Sequence, residues 1–131
     1  MSAQTIDQVL ALNTWAIVGL SNNPNRAAFG VAALLKAKGH KIIPVHPKAE
    51  TVHGEPGYAS LSDIPFPVDV VDIFVNSSLA GTVVDEAILI KAKAVWLQLD
   101  VIDEAPFSRA QSAGLIAVMN RCPAIEYRLR G

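Results

Sequence analysis

With one cysteine, Cys122, among its 131 residues, the chain cannot close an internal disulfide. Its stability must come from a core, and a reducing compartment suits it. Charge is also scarce: Asp, Glu, Lys and Arg make up 18% of the residues and the formal net charge is −1. A chain so nearly neutral has no broad basic face for nucleic acid or an anionic membrane surface, so neither is expected as a partner. A few arginines and lysines can still build a local anion pocket. No apolar run approaches the length needed to cross a bilayer. The first basic residue is Arg26, which argues against a secretory leader, so a cytoplasmic location is expected. The three histidines, His40, His46 and His53, show no metal-ligand pattern with the lone cysteine, and no metal is expected. There is no repeat, low-complexity segment or linker.

What the chain has is apolar residues, 51% of the total, enough for the core of a single domain spanning 1–131. They come in short runs alternating with helical patterns. Strands are expected at Trp15–Leu20, Lys41–Val45, Val68–Val75, Ala94–Leu99 and Leu115–Met119. Helices are expected at Thr5–Leu12, at Ala27–Lys38 with Gly39 as its stop, from a Ser78 cap to about Ala92, and from an Asp103 cap to Gly114. The segment 46–67 reads as an irregular excursion with one short helix near Leu61, and the last dozen residues as a tail. Pro44 forfeits a ladder donor and is expected at a strand end.

Continuous apolar strands alternating with helices predict an α/β fold: a Rossmann-like, doubly wound, five-stranded and mainly parallel sheet with helices on both faces. The first and fourth strands are expected to be neighbours at the switch point, where ligands of such sheets bind. That expectation brings the loop from Gly19 to Arg26 against the loop from Gln98 to Asp103.

The first of these loops carries the strongest signal. An apolar strand runs into Gly19-Leu20-Ser21-Asn22 and then, after Arg26, into a helix. A helix N-terminus presents free N–H groups and a partial positive charge, a seat for phosphate or diphosphate. Gly19 permits the sharp turn, Ser21 and Asn22 add polar groups, and Arg26 can bind a phosphate bidentately. The second strand ends in His46-Pro47-Lys48, without the carboxylate that commonly holds the ribose of NAD, and Lys48 suits an additional phosphate better. His46 is placed to stack on or bond to an adenosine. Cys122 follows Arg121, which favours a thiolate, but no base adjoins it in sequence.

Together these residues resemble the stand-alone CoA-binding domain family, the YccU-like proteins similar to the N-terminal CoA-binding domain of the succinyl-CoA synthetase alpha subunit. The resemblance rests on Ala16 to Ser21 with Pro24, Arg26 and Gly30. It continues through Ile43 to Pro47, Gly54, Ser60-Leu61, Val68 to Phe74 and Ala94 to Gln98, and closes at Asn120 to Tyr127. It implies that coenzyme A or an acyl-CoA binds across the carboxyl edge of the sheet. Gly19, Ser21 and Arg26 would hold the diphosphate, Pro47 and Lys48 would lie beside the adenosine phosphate, and Phe74 and Gln98 would line the groove; Asn22, within the same loop, is a further candidate for cofactor binding. Synthetase chemistry uses a phosphohistidine from a further domain, so the implied role is binding without catalysis.

This chain departs from the family pattern at His46, at Val75-Asn76 and at Leu99-Asp100, and Asp100 is expected to face the anion loop. Two alternatives stay open: a module responding to NAD(H) or an adenine nucleotide and signalling to a protein partner or a second copy, and a thiol enzyme using Cys122.

Overall fold

The computed structural model describes residues 2–131. Five parallel strands, β1 (Thr14–Val18), β2 (Lys41–Val45), β3 (Val70–Ile73), β4 (Ala94–Gln98) and β5 (Ile116–Arg121), form one sheet in the order β2-β1-β3-β4-β5. Among the described residues five helices surround it: α1 (Ala3–Leu10), α2 (Ala27–Ala37), α3 (Ser77–Leu89), α4 (Glu104–Ser112) and α5 (Pro123–Leu129). The expected α/β class with a doubly wound parallel sheet is therefore present.

Because side chains alternate along a strand, each strand feeds two cores. Trp15, Ile17, Ile42, Val70, Trp96 and Val118 pack beneath α1, α2 and α5. Ala16, Ile43, Val71, Ile73, Val95 and Leu97 pack beneath α3 and α4. This is why the strands read as unbroken apolar runs.

The strand order corrects one expectation. β1 lies between β2 and β3, not beside β4. The excursion 46–69 carries the chain from β2 past β1 to its other side, and Asp69 anchors that arrival by accepting from the Thr14 N–H at 3.0 Å. The switch point accordingly falls between β1 and β3, as in the flavodoxin-like order.

Pro44 stands near the end of β2, as its penultimate residue. In the outer strand its missing N–H faces away from β1, and its carbonyl accepts from Tyr58 N–H at 2.9 Å. A proline is tolerated at a sheet edge for that reason.

The expected tail is helix α5. Pro123 begins it with the fixed φ suited to a first turn, and Arg130 clasps Asp7 at 2.5 Å and Glu126 at 3.1 Å. Helix α3 starts one residue before the expected Ser78 cap, with Asn76 preceding it. Lys91, within the span expected for this helix, lies beyond its end, exposed and at φ +60°. The short helix near Leu61 is a single 3-10 turn, Leu61–Asp63. No helix among the described residues is long and apolar enough to cross a membrane.

Candidate functional site

A cleft of about 980 Å³ opens at the carboxyl edge of the sheet, over the β1/β3 switch point. Its floor is the end of β1 and the start of the following loop. Gly19 stands at φ +100°, and its N–H donates to the Val45 carbonyl at 2.8 Å. A Cβ built there would lie 3.2 Å from both Cβ and the carbonyl oxygen of Phe74. Backbone conformation and close approach thus require glycine at the same position.

The next residues form a chain of small polar turns. Ser21 Oγ accepts from the Asn23 N–H at 3.3 Å, and Asn23 Oδ1 accepts from the Asn25 N–H at 3.0 Å. Asn22 donates its side-chain amide to the Thr51 carbonyl at 2.9 Å. The loop delivers α2 with Arg26 as its N-cap residue, in extended conformation. No side chain caps the helix and no acidic residue occupies its first turn. The N–H groups of that turn face a cleft also lined by Arg26, Ala27 and Ala28. Arg26 is exposed and forms no ion pair among the described residues.

The opposite lip follows β2. His46, Pro47 and Lys48 line it, and the His46 ring turns inward on its own backbone, Nδ1 accepting from the Lys48 N–H at 3.2 Å. The His46 N–H donates to the Tyr58 carbonyl at 3.0 Å, so the lip is stitched to residues 58–60. Lys48 is exposed and likewise outside any ion pair among the described residues. The third wall is helix α3, whose Leu79, Thr82, Val83 and Glu86 share one face toward the cleft. Glu86 ties this helix to the 3-10 turn, accepting from Leu61 N–H at 3.3 Å and from the Ser62 hydroxyl at 3.0 Å.

Eight of the nine residues singled out in the sequence therefore line one cleft: Gly19, Ser21, Asn22, Arg26, His46, Pro47, Lys48 and Phe74. Gln98 does not join them. It is buried on β4, on the face beneath α1, α2 and α5, with β3 between it and β1. Asp100 is also elsewhere: its N–H donates to Asn120 Oδ1 at 2.8 Å, and it is absent from the cleft lining. Its carboxylate consequently does not oppose the anion loop across the switch point.

The α3 face and the Ala59-Ser60 wall went unread in the sequence. The i, i+3, i+4, i+7 spacing of Leu79, Thr82, Val83 and Glu86 was the available signal. Glu50, the first carboxylate after β2, also lines the cleft.

Cys122 is half-buried, precedes α5 and packs into the layer beneath α1, α2 and α5, outside the cleft lining. Among the described residues no cluster of three His, Cys, Asp or Glu side chains could hold a metal ion.

One buried group stands out. Asp72 on β3 is fully buried, its register neighbours are Ile17 and Trp96, and neither carboxylate oxygen has a hydrogen-bond partner among the described residues. Burial pushes its pKa well above the usual carboxylate range, offset to a smaller extent by the adjacent Ile73 N–H.

Known proteins share this architecture. The chain is 30% identical over 107 residues to the uncharacterized protein YneT of Bacillus subtilis, covering 82% of this chain and 79% of that protein. It is 38% identical over 61 residues to the alpha subunit of an ADP-forming acetate–CoA ligase from Pyrococcus furiosus, covering 46% of this chain but 13% of that subunit. A solved structure of a hypothetical protein from Pyrococcus horikoshii OT3 superposes with a TM-score of 0.93 at 38% identity, covering 100% of this chain and 94% of the other. The model of the CoA binding domain matches residues 13–128, from the residue before β1 into α5. By that match, spanning the whole sheet and the cleft at its carboxyl edge, the chain belongs to the CoA-binding domain family.

Proposed function

We propose that this protein binds coenzyme A or an acyl-CoA in the β1/β3 cleft and has no catalytic activity of its own. The observation that carries this reading is the uncapped N-terminus of α2 facing the cleft, with Arg26 at its head and Lys48 across from it. Both cations lack an ion-pair partner among the described residues. In this reading the diphosphate lies on the Gly19–Ala28 loop and first turn, accepting backbone N–H groups and the Arg26 guanidinium. Lys48 meets the phosphate on the ribose. The adenine lies between the His46-Pro47 lip and the apolar part of α3, Leu79 and Val83, and the pantetheine arm leaves past Phe74. The family membership of the chain supports coenzyme A over other nucleotides.

Cys122 packs outside the cleft lining, which counts against a thiol enzyme and supports binding alone. A second reading, an NAD(H)- or adenine-nucleotide-responsive module, draws support from Glu50, a carboxylate on the loop after β2 that lines the same cleft.

Thermal denaturation with CoA, acetyl-CoA, NADH and ADP in parallel tests the ranking. A ligand at one hundred times its Kd adds about 2.7 kcal/mol to stability. Coenzyme A should give the largest shift, a larger shift with NADH would favour the second reading, and no shift at millimolar CoA would refute the first.

A further inference from the structure

Glu50 sits where a ligand's anion is expected. Its Oε1 accepts from the Asn22 N–H at 3.4 Å, within the loop that leads to the N-terminus of α2. The carboxylate is half-buried and lines the cleft with Asn22, Arg26 and Lys48. Its position is fixed by the backbone beneath it. A Cβ on Gly57 would lie 2.2 Å from the Glu50 carbonyl oxygen and 2.9 Å from the Ala49 carbonyl carbon, so 49–50 and 57 are in direct backbone contact. Ala49 is held at φ +50°, and its N–H donates to the His46 carbonyl at 2.8 Å. One residue further, Thr51 receives the Asn22 side chain. The stretch 49–51 is therefore held on one side of Glu50 by His46 and Gly57 and on the other by Asn22 of the anion loop.

We propose that Glu50 is a specificity-determining residue of the cleft, an internal anion that takes the Asn22 N–H in the free protein and must yield it to a ligand phosphate. The proposal rests on the reading of the cleft as a site for a phosphorylated nucleotide. Two anions cannot share one donor without repulsion, although solvent at this exposed contact screens part of it. A ligand with one weak anionic contact cannot displace the carboxylate. One that also engages Arg26, Lys48 and the first turn of α2 can. Glu50 thus lowers the affinity of every ligand that places a phosphate on the Asn22 N–H, and only a ligand with further anionic contacts binds well in spite of it. This also gives the carboxylate on the loop after β2 a role other than holding a ribose.

The test compares wild type with Glu50→Gln, which keeps the shape and an acceptor oxygen but removes the charge, and with Glu50→Ala. Each is titrated calorimetrically with CoA, ADP and adenosine, and the Asn22 amide is followed by NMR. Glu50→Gln should tighten CoA and ADP about tenfold, on the scale of one relieved charge contact, and leave adenosine within about twofold. Glu50→Ala should tighten them at least as much, and both substitutions should move the Asn22 amide resonance before any ligand is added. Unchanged or weakened CoA binding in both variants, with wild type binding CoA, overturns the role of Glu50 and leaves the CoA reading intact. Weakened binding confined to ligands with a free ribose diol would make Glu50 a direct ribose contact instead, and also overturns it. Binding of CoA by neither wild type nor variants removes the CoA reading and this role together. Binding by the variants alone supports the role of Glu50 in its strongest form.

Discussion

Gly19 and Phe74 meet at the switch point: a Cβ added to Gly19 would stand 3.2 Å from Phe74 Cβ and 3.2 Å from its carbonyl oxygen. The contact joins the end of β1 to the end of β3, so the anion loop is registered against the strand that carries the next wall of the cleft. Gly19→Ala must both leave φ +100° and open this junction. Strain of this kind costs about 1–3 kcal/mol, which lowers the urea midpoint by on the order of 1 M. Affinity for CoA should fall by a larger factor than stability explains, since the loop itself is displaced. Wild-type affinity in the Gly19→Ala protein would show that the loop does not hold the ligand.

The two cations that line the cleft give a prediction about ligand chemistry. Arg26→Ala should weaken CoA, dephospho-CoA and ADP alike, by about tenfold, as expected for one lost charged hydrogen bond. Lys48→Ala should weaken CoA by a similar factor but leave dephospho-CoA nearly untouched, because its partner is the ribose phosphate. Among the described residues neither side chain has an ion-pair partner to lose, so unliganded stability should stay within about 0.5 kcal/mol. Calorimetric titration of three ligands against the two variants resolves the pattern. Equal loss for CoA and dephospho-CoA in Lys48→Ala would remove Lys48 from that role.

Much of the architecture was legible because period and punctuation agreed. β2 fell on Lys41–Val45 as expected, and the α2 start at Ala27 followed from the strand–loop–helix pattern. Eight cleft residues were readable because local sequence decides which residues follow a strand's carboxyl end. Gln98 was not, since its place depends on which strand neighbours β1. That choice is made by the path of residues 46–69, whose anchors, the Asp69 carboxylate on Thr14 and Tyr58 on Pro44, are long-range pairings without a local pattern. Helix α5 was hidden for a related reason: seven residues make too short a period to read. What holds it is Arg130 reaching across to Asp7 at the other end of the chain.

Asp72 predicts a pH dependence of unusual sign. Its folded pKa is raised by burial, so above the unfolded value the unfolded chain releases this proton while the native protein retains it. The native state then binds more protons, and its stability falls as pH rises from about 4 toward the folded pKa. Asp72→Asn keeps the shape and removes the ionisation. It should raise Tm at pH 7 by about 4 °C or more, with the gain shrinking toward pH 4. Calorimetry at the two pH values checks this. A loss of Tm at pH 7 would mean that the carboxylate is paired in solution.

His40 gives the opposite slope, through a hydrogen-bond chain joining the α1–β1 connection to α5. Nδ1 lies 2.8 Å from the Leu12 carbonyl, which can only accept, so Nδ1 carries a proton. In the neutral ring Nε2 is then an acceptor, and the Tyr127 hydroxyl, 2.5 Å away, donates to it. Burial lowers the pKa of His40 from 6.5, against smaller upward contributions from the backbone of Leu12 and Asn13. The unfolded chain therefore takes up this proton first, and the contribution of His40 to stability, complete above about pH 6.5, is lost as pH falls toward the folded pKa. Tyr127 moderates that loss: a protonated ring can donate Nε2–H to the phenol oxygen, freeing the phenol proton for the Leu10 carbonyl 3.3 Å away. Tyr127→Phe removes both arrangements. It should cost about 1 kcal/mol at pH 7.5, the usual net value of one hydrogen bond. The gap from wild type should widen as pH is lowered to 5.5, because the charged Nε2–H is left without an acceptor. Urea denaturation of both proteins across this range measures the gap directly. A constant gap would show that His40 stays neutral over the whole interval, and a narrowing one that the Tyr127 hydroxyl acts only as a donor and disfavours the charged ring.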